Sequence, residues 1–149
     1  MVFQVGRPLT KRNLRAFLVT SEGHAPDHFW GFQEAFQQYV DLSYIYNTTA
    51  TRNGIVIPDW LKDHSYESLD DLNGVRPDVV FICGGIVSDW TDRVLRWAKQ
   101  EEILTVYLNT GHIADRIYEG PQFDVVTAMS EHEAFYVKRH LKVPDDKSI

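Results

Sequence analysis

The sequence predicts the α/β class: three layers built around a mostly parallel sheet of about five strands. Three observations carry this. Apolar runs are continuous rather than alternating, as in Arg15-Ala-Phe-Leu-Val-Thr20, Val79-Val-Phe-Ile-Cys83 and Ile103-Leu-Thr-Val-Tyr-Leu108. Such runs suit strands that are buried on both faces. Helical patterns follow the runs, which returns the chain to start a parallel neighbour. Turn residues close the runs, for example Ser21-Glu22-Gly23 and Gly84-Gly85.

Taken in order, residues 1–14 read as a polar N-terminal arm, and residues 15–149 as one domain. The first strand is Arg15–Thr20. After Pro26-Asp27, Phe29, Phe32, Phe36 and Tyr39 recur at spacings of three and four, which predicts a helix with one aromatic face. Asp41–Tyr46 is the second strand. Residues 47–53 are turn-rich, and Gly54–Pro58 reads as a short extra strand or a loop. Ser65–Leu72 is expected to be a short helix stopped by Asn73-Gly74. Val79–Cys83 is the third main strand. A helix through Trp90–Glu101 follows, capped by Ser88 or Asp89, with Val94, Leu95, Trp97 and Ala98 on its apolar face. Ile103–Leu108 is the fourth strand, residues 113–118 a helical turn, and Phe123–Ala128 the fifth strand. The last helix spans Ser130–Leu141, where Ser130 and Glu133 have the spacing of a capping box.

Composition narrows the function. The chain has 149 residues, 44% hydrophobic and 24% charged, an ordinary globular balance. Its net charge of −6 and lack of a concentrated Lys/Arg cluster argue against nucleic acid as a partner. The single cysteine, Cys83, excludes an internal disulfide framework and fits a reducing compartment. No apolar run approaches the roughly 20 residues of a membrane span. Arg7, Lys11, Arg12 and Arg15 interrupt any secretory signal. The expected location is cytoplasmic.

Several α/β chemistries lack their motifs. No dinucleotide-binding Gly pattern follows the first strand, and neither GxxxxGK[ST] nor G-x-S-x-G occurs. A phosphate-accepting receiver would want an aspartate where Cys83-Gly84 stand. In an open α/β sheet, ligands bind beyond the strand C-termini. That places four loops around one crevice: Ser21–His28, Gly84–Asp89, Asn109–His112 and Ser130–His132. Candidate binding residues there are Glu22, His24, His28, Gly84, Gly85, Asp89, Asn109, Ser130 and Glu131. His24 and His28 have the spacing of a metal half-site, but the pair straddles Pro26 without a nearby third ligand. They read as solvated loop histidines, and no metal or cofactor is expected. Gly84-Gly85 allows close backbone approach to a ligand, or simply makes a tight turn. His112 is the candidate general base, because an imidazole titrates near neutral pH, with a structural loop histidine as the alternative. Cys83 reads as core.

The C-terminal half adds a resemblance. Phe123-Asp-Val-Val-Thr-Ala-Met-Ser130-Glu131, the helix after it and His140-Leu-Lys-Val-Pro144-Asp-Asp-Lys147 resemble the end of the N-terminal domain of GT-B-fold glycosyltransferases. The family-4 type and the related spore-maturation type commonly carry there an apolar strand, Ser-Glu, a helix and a segment like His140–Lys147. Pro77-Asp-Val-Val-Phe-Ile82 looks like their "PDvvh" strand, and Thr105–His112 is similar to their strand ending in histidine. The likeness covers residues 76–149 by motif and 15–75 by architecture. It implies a Rossmann-like domain that forms the acceptor side of a cleft, with His112 at the active-site histidine position. Two positions depart from the pattern: Glu22–Pro26 replaces a Gly-rich loop, and Ile113 follows His112 where the family often has an acid.

In that family a second Rossmann-like domain holds most of the nucleotide-sugar, joined after a segment like Pro144–Ile149. The resemblance therefore implies a transferase half that is inactive alone and needs a donor-binding domain or partner chain. The alternative is a non-catalytic Rossmann-like domain for protein binding or assembly, with Trp30, Trp60 and Trp90 as interface candidates if they are not core. A sugar- or nucleotide-sensing module is a third reading.

Overall fold

The computed structural model describes residues 14–20, 38–45, 65–83, 89–108, 119–127, 130, 131, 134, 135, 139 and 141. Among the described residues six strands form one sheet: β1 (Arg15–Thr20), β2 (Asp41–Ile45), β3 (Ser65–Tyr66), β4 (Val79–Cys83), β5 (Leu104–Leu108) and β6 (Val125–Thr127). Every pairing is parallel, in the order β3-β2-β1-β4-β5-β6. Helix α1 (Asp89–Gln100) connects β4 to β5. The expected α/β Rossmann-like architecture is what forms.

Burial explains the continuous apolar runs. Along β1, Ala16 and Leu18 enter one core cluster with Leu42, Tyr44, Val79 and Val106. Phe17 and Val19 enter the other, with Ile45, Val80 and Ile82. Successive side chains point to opposite faces of a strand, so a strand covered on both sides needs apolar residues at every position. Helix α1 covers the second face through Trp90, Val94, Leu95 and Ala98, all buried. Leu141, from the last helix, is buried in the same cluster.

The ends of α1 follow from local chemistry. Asp89 is its first helical residue rather than a residue preceding it, and Asp89 and Asp92 put negative charge where the helix dipole favours it. At the other end the N–H of Glu102 donates to the Lys99 carbonyl (3.2 Å) and that of Ile103 to the Ala98 carbonyl (2.8 Å). Glu102 has φ 55°. Together these make a Schellman stop with glutamate at the left-handed position. A guanidinium N–H of Arg76 donates to the carbonyl of Glu101, satisfying another helix-end acceptor.

Two expectations need correction. The segment expected to be the helix Ser65–Leu72 is mostly not helical, and its first two residues add a sixth strand to the about five expected. Ser65 and Tyr66 pair with Tyr44 and Ile45 of β2, and only Asp70–Leu72 makes a turn of 3-10 helix. Tyr66 packs its ring 5.5 Å from that of Phe17. A lone helical turn is costly to nucleate, so burial of Tyr66 on the sheet decides the outcome. The predicted stop is present, with Asn73 at φ 47° and Gly74 at φ 81°. Tyr39, expected on the aromatic face of the helix after Pro26, lies in a turn just before β2 and is 40% exposed. Phe29, Phe32 and Phe36, the segment Gly54–Pro58, the turn at 113–118 and residues 1–13 of the N-terminal arm lie outside the described residues.

Candidate functional site

Strand order reverses between β1 and β4: the chain runs outward from β1 through β2 to β3, then restarts beside β1 and runs the other way. Such a switch point is where open α/β sheets bind ligands. The register there is informative. Thr20 stands beside Cys83, Cys83 beside Leu108, and Leu108 beside Thr127. Four strands therefore end in one row, with neighbours about 4.8 Å apart. The loops that follow these four residues are the four that the sequence nominated, and their roots are adjacent.

Of the ten nominated residues, three are described. Asp89 opens α1 and is exposed. Ser130 and Glu131 are exposed at the start of the last helix. The Ser130 carbonyl accepts the N–H of Ala134 at 2.9 Å, as an N-cap residue does. Glu22, His24, His28, Gly84, Gly85, Asn109 and His112 lie outside the described residues. The carboxylates of Asp89 and Asp92 already sit at the first turn of α1, so this helix end is less suited to an anion than an uncharged one would be.

Trp90, an interface candidate if exposed, is a core residue at 4% exposure. Its indole Nε1 is buried without a hydrogen-bond partner among the described residues, and the Arg93 guanidinium lies 6.0 Å from the ring centre. Trp30 and Trp60 are outside the described residues. Among the described residues, no group of three His, Cys, Asp or Glu is gathered as a metal site would require. No described helix is long and apolar enough to cross a membrane.

Sequence reasoning passed over one polar cluster, at the opposite end of the sheet. Asp124 accepts hydrogen bonds from Lys99 Nζ (2.6 Å), Thr105 N (2.9 Å) and Thr105 Oγ1 (2.8 Å). Partial burial pushes its carboxyl pKa up, but Lys99 and the Thr105 donors outweigh this and hold it below the ordinary value. An open depression of about 310 Å³ adjoins it, lined by Lys99, Glu102, Ile103, Leu104 and Asp124. Lys99 and Asp124 are paired with each other, and Leu104 opens β5, so the depression faces away from the row of strand C-termini. It lies away from the switch point between β1 and β4.

No protein-family model matches the chain, and no curated protein sequence matches it. Among solved structures, a UDP-N-acetylglucosamine 2-epimerase from Rickettsia bellii is similar with a TM-score of 0.61 at 13% identity, over 92% of this chain and 44% of that one. The likeness is one of fold. That enzyme has a GT-B-like fold, and this chain spans less than half of its length. The resemblance to one half of a GT-B architecture is thus met in fold, without a family assignment.

Proposed function

We propose that this chain is the acceptor-side domain of a GT-B-type glycosyltransferase that uses a nucleotide-sugar donor. The observation that carries this is the fold match, which takes in nearly all of this chain but under half of a sugar-nucleotide enzyme. The aligned ends of β1, β4, β5 and β6 support the same reading, since they root the four candidate loops side by side.

In this reading a second domain or chain holds the nucleotide, and the loops after β1 and β4 shape the acceptor pocket. Glu22, His24, His28, Gly84, Gly85, Asp89, Asn109, Ser130 and Glu131 are its candidate contacts. His112, four residues beyond Leu108, acts as general base. The acceptor hydroxyl oxygen bonds to the anomeric carbon as its proton passes to His112. The bond from that carbon to the diphosphate oxygen breaks, and nucleoside diphosphate leaves with the electron pair. Neutral imidazole is the active form, so rate falls as pH drops through the histidine range.

The test supplies a donor-binding domain with this chain and follows release of nucleoside diphosphate and glycoside. His112→Ala is expected to lower kcat by about 10²–10⁴-fold with donor KM little changed. Unchanged turnover removes the role of His112. The similar structure is that of an epimerase, which favours a second reading, conversion of a sugar nucleotide into its epimer. An epimeric sugar nucleotide formed without acceptor would select it. A stable oligomer that never gains nucleotide-sugar affinity selects the non-catalytic assembly domain instead.

A further inference from the structure

The tripeptide Asp-Val-Val occurs twice, at Asp78–Val80 and at Asp124–Val126. Both copies enter a strand, and their aspartates make the same pair of bonds. Asp78 N–H donates to the Arg15 carbonyl (2.8 Å), while its carboxylate accepts the Arg15 N–H (2.8 Å). Asp124 N–H donates to the Thr105 carbonyl (3.1 Å), while its carboxylate accepts the Thr105 N–H (2.9 Å). In each case the clasp sits one residue before the first ladder pair, Ala16 with Val79 or Val106 with Val125.

We propose that Asp78 and Asp124 are strand-entry clasps that set the register of β4 on β1 and of β6 on β5. The carboxylate serves a leading strand N–H much as a capping side chain serves the first turn of a helix. Register matters because a slip of one residue would turn every side chain to the other face. The two clasps are not equally needed. Strand β4 is held between β1 and β5, and its five residues pair on both sides. Strand β6 has three residues and pairs only with β5 among the described strands. Its clasp is the stronger one: Thr105 Oγ1 also donates to Asp124, and Lys99 adds a charge-assisted bond from α1. The register of β6 also fixes where Ser130 and Glu131 begin, three residues beyond the Thr127 end of the strand. The clasp itself does not depend on the proposed activity.

Amide hydrogen exchange on the full chain tests it. In Asp124→Ala, the amides of Val125–Thr127 should lose protection by at least about tenfold more than those of β4. Asp78→Ala should lower protection in β4 as well, but by less, because β4 keeps its neighbour β5. Asp124→Asn retains an oxygen for the Thr105 N–H and should keep β6 protection within about threefold of the unsubstituted chain. If alanine unfolds the chain, the asparagine variant decides alone. Loss spread evenly over the sheet, no loss in β6, or failure of asparagine to preserve β6 would overturn the clasp.

Discussion

At the scale of single residues, the backbone at positive φ shows most directly how side-chain chemistry meets local geometry. Gly74 has φ 81° with open space where a Cβ would stand. Gly74→Ala should therefore cost about 1 kcal/mol, and the cost is conformational rather than steric crowding. Glu102 occupies the same region at φ 55°, in a position where helices prefer glycine. Glu102→Gly is expected to stabilise the chain by up to about 1 kcal/mol, read as a rise in the midpoint of denaturant unfolding. A loss of stability would mean that the Glu102 side chain does more than tolerate the turn. The Asn73-Gly74 stop was legible in the sequence because its signal is local. The end of α1 was also placed, by the helix pattern to Glu101 and the strand run from Ile103, but its left-handed turn at Glu102 was not, since glutamate carries no such signal.

At the scale of elements, α1 owes its place to one apolar stripe. Val94, Leu95 and Ala98 are fully buried against the sheet, so Leu95→Ala should destabilise by about 2–5 kcal/mol. Arg96→Ala, which breaks an exposed pair with Asp92 on the same helix, should cost far less. Both are measurable by urea unfolding. Strand β6 and α1 are joined through Asp124, and this joint is acid-sensitive. Because its pKa is lowered in the folded state, its contribution is complete above the unfolded carboxylate value, about 3.9. It is lost as pH falls from there through the lower folded value. Asp124→Asn should therefore show a shallower stability loss than the unsubstituted chain between about pH 5 and pH 2. An identical acid limb in both proteins would show that the Lys99 pair contributes nothing. Element types were readable wherever a run was long and uniform, as in β1, β4, α1 and β5. The segment at Ser65 failed because a two-residue edge strand leaves almost no periodic trace.

At the scale of the whole molecule, the parallel sheet gathers loops that are far apart in sequence. The ends of β1 and β6 are more than a hundred positions apart in the chain but stand in one row. One wall of a cleft follows from that row, and the proposed function needs a second wall. The isolated chain should accordingly bind a UDP-sugar only weakly, with Kd above about 1 mM, corresponding to less than about 4 kcal/mol. Adding the donor-binding domain should tighten binding at least tenfold. Micromolar affinity in the isolated chain, measured by calorimetry, would show a complete nucleotide site and overturn the half-site reading.

The sequence by itself determined the α/β class, the doubly buried strands and the positions of most turns, because these depend on residue type and spacing within a few residues. It also nominated the four loops, since every strand end can be read along the chain. Only the tertiary structure decided that β1 lies at the centre, that Ser65–Tyr66 adds a strand, and that four strand ends align in register. Those outcomes depend on which surfaces bury one another and on hydrogen bonds between distant segments, such as the one from Thr105 to Asp124. Asp-Val-Val was visible twice in the sequence, but its function as a clasp appears only when Arg15 and Thr105 stand opposite.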